Sequence, residues 1–294
     1  MHIKDYAIYP SFIGLLLLLM ISACTPSESN ADKQARLAKM YDVIIGTSDP
    51  VTFFVPPYTR LDAKIDELEL FPAAASSLQM SLTGVEDALA AYPTGFVSSQ
   101  IDAIFISGEL FFDGMPAGGT YNHSWIIVAS TTDPKGESNY NSALYGVHHE
   151  LSSFIYHKSF VIARIWGDLM PKDWEAITSY KESLASNNLP IDYENGFLNN
   201  YAKTSVENDF NTYAEFVFAR PDELIELAKT YPLVAKKLRL FIDAYAKQSP
   251  EMKKLLMESP LAQVAAPDDF SPITDVIRVD TSSIKPTIIY QEAQ

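Results

Sequence analysis

The stretch from Asn141 to Phe160 constrains what the rest of the chain can build. Leu144, Val147, Leu151, Phe154 and Ile155 recur at helical spacing, which predicts a helix with one buried stripe. Such a stripe needs another layer to cover it. Upstream, Ile101–Ile106, Glu109–Phe112 and Ser124–Ala129 are β-rich runs, interrupted by Gly108, Asp113-Gly114 and Ala117-Gly118-Gly119. Thr131–Asn141 reads as a polar loop. Downstream, Ser205–Ala219 reads as a helix with Ser205 as its cap, and Pro221–Lys229 and Leu233–Tyr245 as amphipathic helices. Ala35–Ile45, Ala63–Leu70 and Ser76–Ala91 also show helical spacing, and Asp173-Trp174-Glu175 starts a further helical stretch. This order predicts an α+β domain, a mostly antiparallel sheet packed on the central helix, with a helical C-terminal part.

The N-terminus carries a different signal. Phe12–Ile21 is an apolar run preceded by Lys4 and followed by Ser22-Ala23-Cys24. It is too short to span a bilayer as a mature helix and suits a signal-peptide core. Small residues before a cysteine resemble the bacterial lipobox, in which the cysteine, here Cys24, is lipidated and becomes the first residue. An ordinary secretory signal with an incidental cysteine is the alternative. By the same resemblance, Thr25 after the cysteine favours the outer membrane. The reading is a signal peptide over 1–23, a polar tether over 24–34, a folded domain over 35–262 and an extended tail over 263–294. Cys24 is the only cysteine, so no internal disulfide holds the domain. With 47% apolar residues the chain can bury a sizeable core. A net charge of −15 argues against nucleic acid, because neutralising phosphates needs clustered Lys and Arg.

Three of the five histidines, His148, His149 and His157, sit on the central helix. His149-Glu150 is the first half of the His-Glu-x-x-His zinc-hydrolase signature, in which two imidazoles one turn apart hold the ion and the glutamate takes a proton from bound water. The second histidine is replaced by Ser153. His157 is eight residues beyond His149, about 12 Å along a helix, and His148 points about 100° away. A second candidate segment runs from Gly196 to Phe210, and its carboxylates, Glu207 and Asp209, begin a helix. The helix macrodipole favours that placement without any function.

The lipobox, the Gly-Gly-Thr-Tyr turn at Gly118–Tyr121, the His149-Glu150 helix and the Gly-Phe…Tyr-Ala…Asp-Phe segment from Gly196 to Phe210 occur in order. Together they resemble bacterial zinc-binding metallopeptidase lipoproteins, which are similar to the catalytic domain of anthrax lethal factor. The resemblance covers most of Ile101–Phe218. It implies a zincin-like fold, a zinc ion, and hydrolysis of a peptide or protein substrate. It makes Glu150 the general base, His149 a zinc ligand and Tyr201 the oxyanion stabiliser. Two of the family's three ligand positions depart from its pattern, Ser153 for the second histidine and Asn208 for the glutamate. Glu215, Asp209 or the flanking Glu207 would then supply the carboxylate, and His148 or His157 the second nitrogen. Tyr201 can equally be a packed tyrosine, and Glu215 can equally pair with Arg220 or Lys203. Two functions therefore stand side by side. One is a zinc peptidase with a rebuilt ligand set; the other is an inactive descendant that binds a peptide or envelope partner. A purely structural periplasmic lipoprotein is a third.

Overall fold

The computed structural model describes residues 28–47, 49, 53–55, 58, 68–112, 114–130, 137–177, 181–182 and 190–267. The signal peptide, Cys24 and most of the C-terminal tail lie outside the described residues. The first helix, α1 (Asn30–Tyr41), begins inside the stretch read as tether. Ser29 caps it by accepting a hydrogen bond from the Asp32 N–H. It stops at Asp42, which adopts a left-handed conformation (φ 52°), so that residues 44–46 leave as a strand rather than as helix. The expected helix over Ala63–Leu70 is also corrected: Leu68–Leu70 is a strand, and residues 63–67 lie outside the described set.

Two sheets form. The larger has the order β1 (Ile44–Gly46), β3 (Ala103–Ser107), β7 (Trp125–Ala129), β6 (Gly119–Asn122). Its β1–β3 and β3–β7 ladders are parallel, and only β6 runs antiparallel, pairing Gly119 with Val128 and Asn122 with Trp125. The sheet beneath the central helix is therefore mixed, not mostly antiparallel. The smaller sheet, β2 (Leu68–Leu70), β4 (Leu110–Phe112) and β5 (Met115–Pro116), is antiparallel throughout. The central strands β3 and β7 are buried on both faces. Ile104, Ile106, Ile126 and Val128 join the helical core. Ala103, Phe105, Trp125, Ile127 and Ala129 join a second cluster with Phe53, Leu68 and Leu110. Strands covered on both sides read as continuous apolar runs, the usual pattern of parallel strands.

On the helical face, α3 (Glu137–Lys158) lies across β7 and β6 and is flanked by α2 (Ala75–Ala90). The two helices approach closely at Gly84, where a Cβ would sit 2.3 Å from the Tyr140 carbonyl oxygen. The region from 171 to 177 is turn and irregular chain, so no helix starts at Asp173. Trp174 is instead pinned by its indole N–H, which donates to the Lys203 carbonyl. The C-terminal part is helical as expected: α4 (Phe160–Asp168), α5 (Val206–Ala219), α6 (Pro221–Thr230), α7 (Pro232–Ala246), α8 (Pro250–Met257) and α9 (Pro260–Val264). The folded domain thus continues past residue 262, and the Ala266 N–H bonds back to Ala235.

A fully buried ion pair joins these helices. Lys237 Nζ lies 2.6 Å from Asp209 Oδ2, and neither side chain has any exposed surface. The Trp166 indole N–H donates to the same carboxylate oxygen at 2.7 Å. The ammonium also donates to the carbonyls of Asn195 and Gly196 and lies over the Phe197 ring. One cluster thereby ties α4, α5, α7 and the turn at Gly196. Removing one partner leaves an uncompensated buried charge, so Lys237→Met should lose about 3–5 kcal/mol in urea unfolding. The double variant Asp209→Leu/Lys237→Met should lose clearly less. Equal losses in the two variants would show that packing, not charge pairing, dominates there.

Candidate binding cleft at the His149–Glu150 helix

Helix α3 places Ser142, Tyr145, Gly146, His149 and Glu150 on one face, following the i, i+3, i+4, i+7, i+8 pattern. That face borders a cavity of about 280 Å³, closed on its other sides by Ala117, Gly118, Gly119, Tyr201 and Glu215. Four of the residues singled out in the sequence, His149, Glu150, Tyr201 and Glu215, therefore converge. The approach of β6 is close: a Cβ at Gly119 would lie 2.6 Å from Glu150 Oε1 and 2.9 Å from the Ile127 carbonyl oxygen. Only glycine lets the strand sit against this carboxyl. Gly118, by contrast, faces open space.

The His149 ring is held from both sides by α5. Nδ1 lies 2.7 Å from Glu215 Oε1, and Nε2 lies 3.3 Å from Asn208 Oδ1. Asn208 in turn donates its Nδ2–H to Thr204 Oγ1, an arrangement that leaves its oxygen facing the imidazole. Burial alone would pull the His149 pKa down, but the hydrogen bond and charge of Glu215, with Glu150 and Asn208 adding to them, raise it from 6.5 to about 9. At neutral pH His149 is an imidazolium donating to both partners. Burial pushes the Glu150 carboxyl up from 4.5 to about 7; His149 pulls it down, and Glu207 and Glu215 push it further up. Tyr201, which begins a 3-10 turn (Tyr201–Thr204), places its ring 5.8 Å from that of His149.

The other candidates, Asp209, His148, His157 and Glu207, do not line the cavity. Asp209 is one residue, about 100°, around α5 from Asn208, and it faces Lys237 and Trp166 in the core. His148 is wholly buried on the far side of α3, stacked on Phe218, with Nδ1 2.8 Å from the Tyr92 hydroxyl. Burial lowers its pKa to about 3, so it stays neutral. His157 is exposed further along α3, where the Tyr121 hydroxyl contacts its Nε2 at 2.8 Å and donates to Glu207 at 2.7 Å. Glu215 pairs with His149 rather than with Arg220 or Lys203: Arg220 pairs with Glu223, and Lys203 donates to the Pro190 carbonyl. Sequence reading missed Ser142, Tyr145 and Gly146 as cavity walls. Their signal was present, as the two turns preceding Glu150 on the same helix face.

The donor set does not fit the zinc site that the family resemblance implies. At the three ligand positions stand an imidazole with both nitrogens engaged, a buried serine and a primary amide. Ser153 Oγ accepts a hydrogen bond from Asn211 at 2.8 Å and has no exposed surface. A zinc ligand must offer an unprotonated nitrogen, a thiolate or a carboxylate. Among the described residues, no three His, Cys, Asp or Glu side chains gather as a metal-holding group.

No family model matches the chain, nor does any curated protein or solved structure.

Two titrations give opposite stability trends. Because the folded His149 pKa is raised, the stabilisation from its pairing with Glu215 is complete below pH 6.5 and is lost as pH climbs through about 9. Because the Glu150 pKa is also raised, the cost of ionising it is absent below pH 4.5 and complete above about 7. In urea unfolding at pH 8, Glu150→Gln should therefore stabilise the fold by on the order of 2–3 kcal/mol. Glu215→Gln should return the His149 titration, followed by NMR, toward the ordinary imidazole range. A His149 titration unmoved by Glu215→Gln would remove the ion pair from this account.

Proposed function

We propose that the chain is a non-catalytic relative of zincin-like peptidases that binds an extended peptide in the cleft between β6 and α3, at the bacterial cell envelope. The observation that carries this reading is the engagement of both His149 nitrogens by the chain's own Glu215 and Asn208. An imidazole so held is a hydrogen-bonded wall of the pocket, and an ion at Nε2 would have to displace Asn208. The peptide part rests on β6. It is the last strand of its sheet, and among the described residues only β7 pairs with it. An unpaired strand edge offers a row of backbone donors and acceptors to an incoming chain, and neighbouring pockets then select its side chains. The cavity beside Gly118 and Gly119 supplies such a pocket.

The envelope part rests on the N-terminal sequence, whose apolar run and lone Cys24 would tether the domain by a lipid. Among the described residues no helix is long and apolar enough to cross a membrane. Lipid labelling of cells expressing the full chain checks the anchor: radiolabelled fatty acid should enter the protein and be absent from Cys24→Ser.

Zinc content separates this reading from a working peptidase. The purified protein should hold less than about a tenth of an equivalent of zinc, unchanged in His149→Ala. About one equivalent, lost in His149→Ala, would establish the peptidase instead. For binding, a fluorescent peptide panel should yield ligands whose affinity falls about tenfold or more in Gly118→Trp, which fills the cavity mouth without a backbone clash. Peptide affinities untouched by that variant would place the binding elsewhere.

A further inference from the structure

Glu150 is unlike the other groups of the cleft. Its side chain is buried, with the residue only 8% exposed, and it borders the cavity. His149 and Glu215 satisfy each other, Asn208 is braced by Thr204, and Ser153 by Asn211. Glu150 takes no hydrogen bond from any described residue. A carboxyl this buried keeps little contact with water, and a donor entering the cavity it borders would strengthen its solvation.

The walls narrow the chemistry of that donor. The described lining contains two carboxylates, Glu150 and Glu215, and no Lys or Arg; its one cation, His149, already donates from both nitrogens. Glu207 adds a third negative charge nearby, and a fourth is not needed to repel an anion. Tyr145 and Tyr201 contribute aromatic rings, which attract cations. A cavity of about 280 Å³ is the size of a long side chain and small for a drug-sized ligand or cofactor. A charge-assisted hydrogen bond to a carboxylate is roughly twice as strong as a neutral one, so an ammonium gains more here than an amide.

We propose that this cavity is an ammonium-recognition pocket, in which the buried Glu150 carboxyl, in a cavity also lined by Tyr145 and Tyr201, receives a primary amine of the bound peptide. This rests on the peptide-binding reading and names its selective element. The amine can come from a lysine side chain or from a peptide's amino terminus, and the two present the same group to Glu150.

Calorimetry with the full chain tests this with four probes. These are Nα-acetyl-lysine N-methylamide, its Nε-acetylated form, an alanine amide with a free α-amine, and that amide acetylated. One or both free amines should bind, each about tenfold or more tighter than its acetylated counterpart, and the preferred amine identifies the source. Glu150→Gln should abolish that preference while circular dichroism shows the fold retained, and Gly118→Trp should abolish binding altogether. Equal affinity for free and acetylated forms, or an amine preference intact in Glu150→Gln, would overturn the proposal. Absence of binding by either amine would overturn it as well. The two readings fail separately. Blocked, lysine-free peptides that still bind in a Gly118→Trp-sensitive way would keep the peptide cleft and remove the ammonium pocket. Free amines that bind through Glu150 while no longer peptide does would keep the pocket and remove the strand-edge cleft.

Discussion

The buried pairing of Lys237 with Asp209 is the constraint on which the arrangement of the cleft depends. It fixes the rotation of α5 about its own axis. Asp209, Tyr213 and Phe216 follow one another at i, i+4 and i+7 and are buried in the core, with Asp209 drawn to the ammonium on α7 and the indole on α4. The neighbouring stripe, Asn208 and Glu215 seven residues apart, is then obliged to face α3. Both His149 nitrogens find their partners there because the opposite side of α5 is committed elsewhere. A charge pair with no exposed surface is a weak source of net stability, but it is intolerant of rearrangement. In this fold its consequence is orientation.

Much of this was legible in the sequence, and the failures have identifiable causes. The central helix and the helix after Ser205 announced themselves by period and cap, and the four residues His149, Glu150, Tyr201 and Glu215 do share a cavity. Asp209 was misplaced because a carboxylate in a first helical turn looks the same whether it faces a ligand, solvent or a buried lysine. Lys237 gave no warning, since lysine is among the residues least often fully buried. His148 was one position from His149, and that one position turns a side chain from the cleft to the core. The strand order was hidden for a different reason. With apolar residues on both faces of β3 and β7, alternation disappears, and with it the signal that tells a parallel core strand from a hairpin arm.

The cleft also departs from its surroundings in cost. Some buried polar groups of this region are matched, as with Ser153 and Asn211 or Tyr213 and the Gly196 carbonyl, and others, such as Ser152 Oγ and Asp209 Oδ1, have no hydrogen-bond partner among the described residues. Glu150 differs in being a carboxyl at the cavity wall, one whose ionisation burial opposes. A buried carboxyl that borders a cavity is placed for contact with something outside the chain.

The missing side chain at Gly119 has a mechanical consequence. Because the strand backbone rests directly against the Glu150 carboxyl, the outer edge of β6 and the floor of the pocket are not independent surfaces. A chain that docks along the edge leans on the same peptide unit that abuts the carboxyl. A cation seated on the carboxyl restrains the peptide unit that presents the edge. Each occupant would then alter the affinity of the other by the same factor, as reciprocity between two linked sites requires. The cleft would register length and charge as a single quantity.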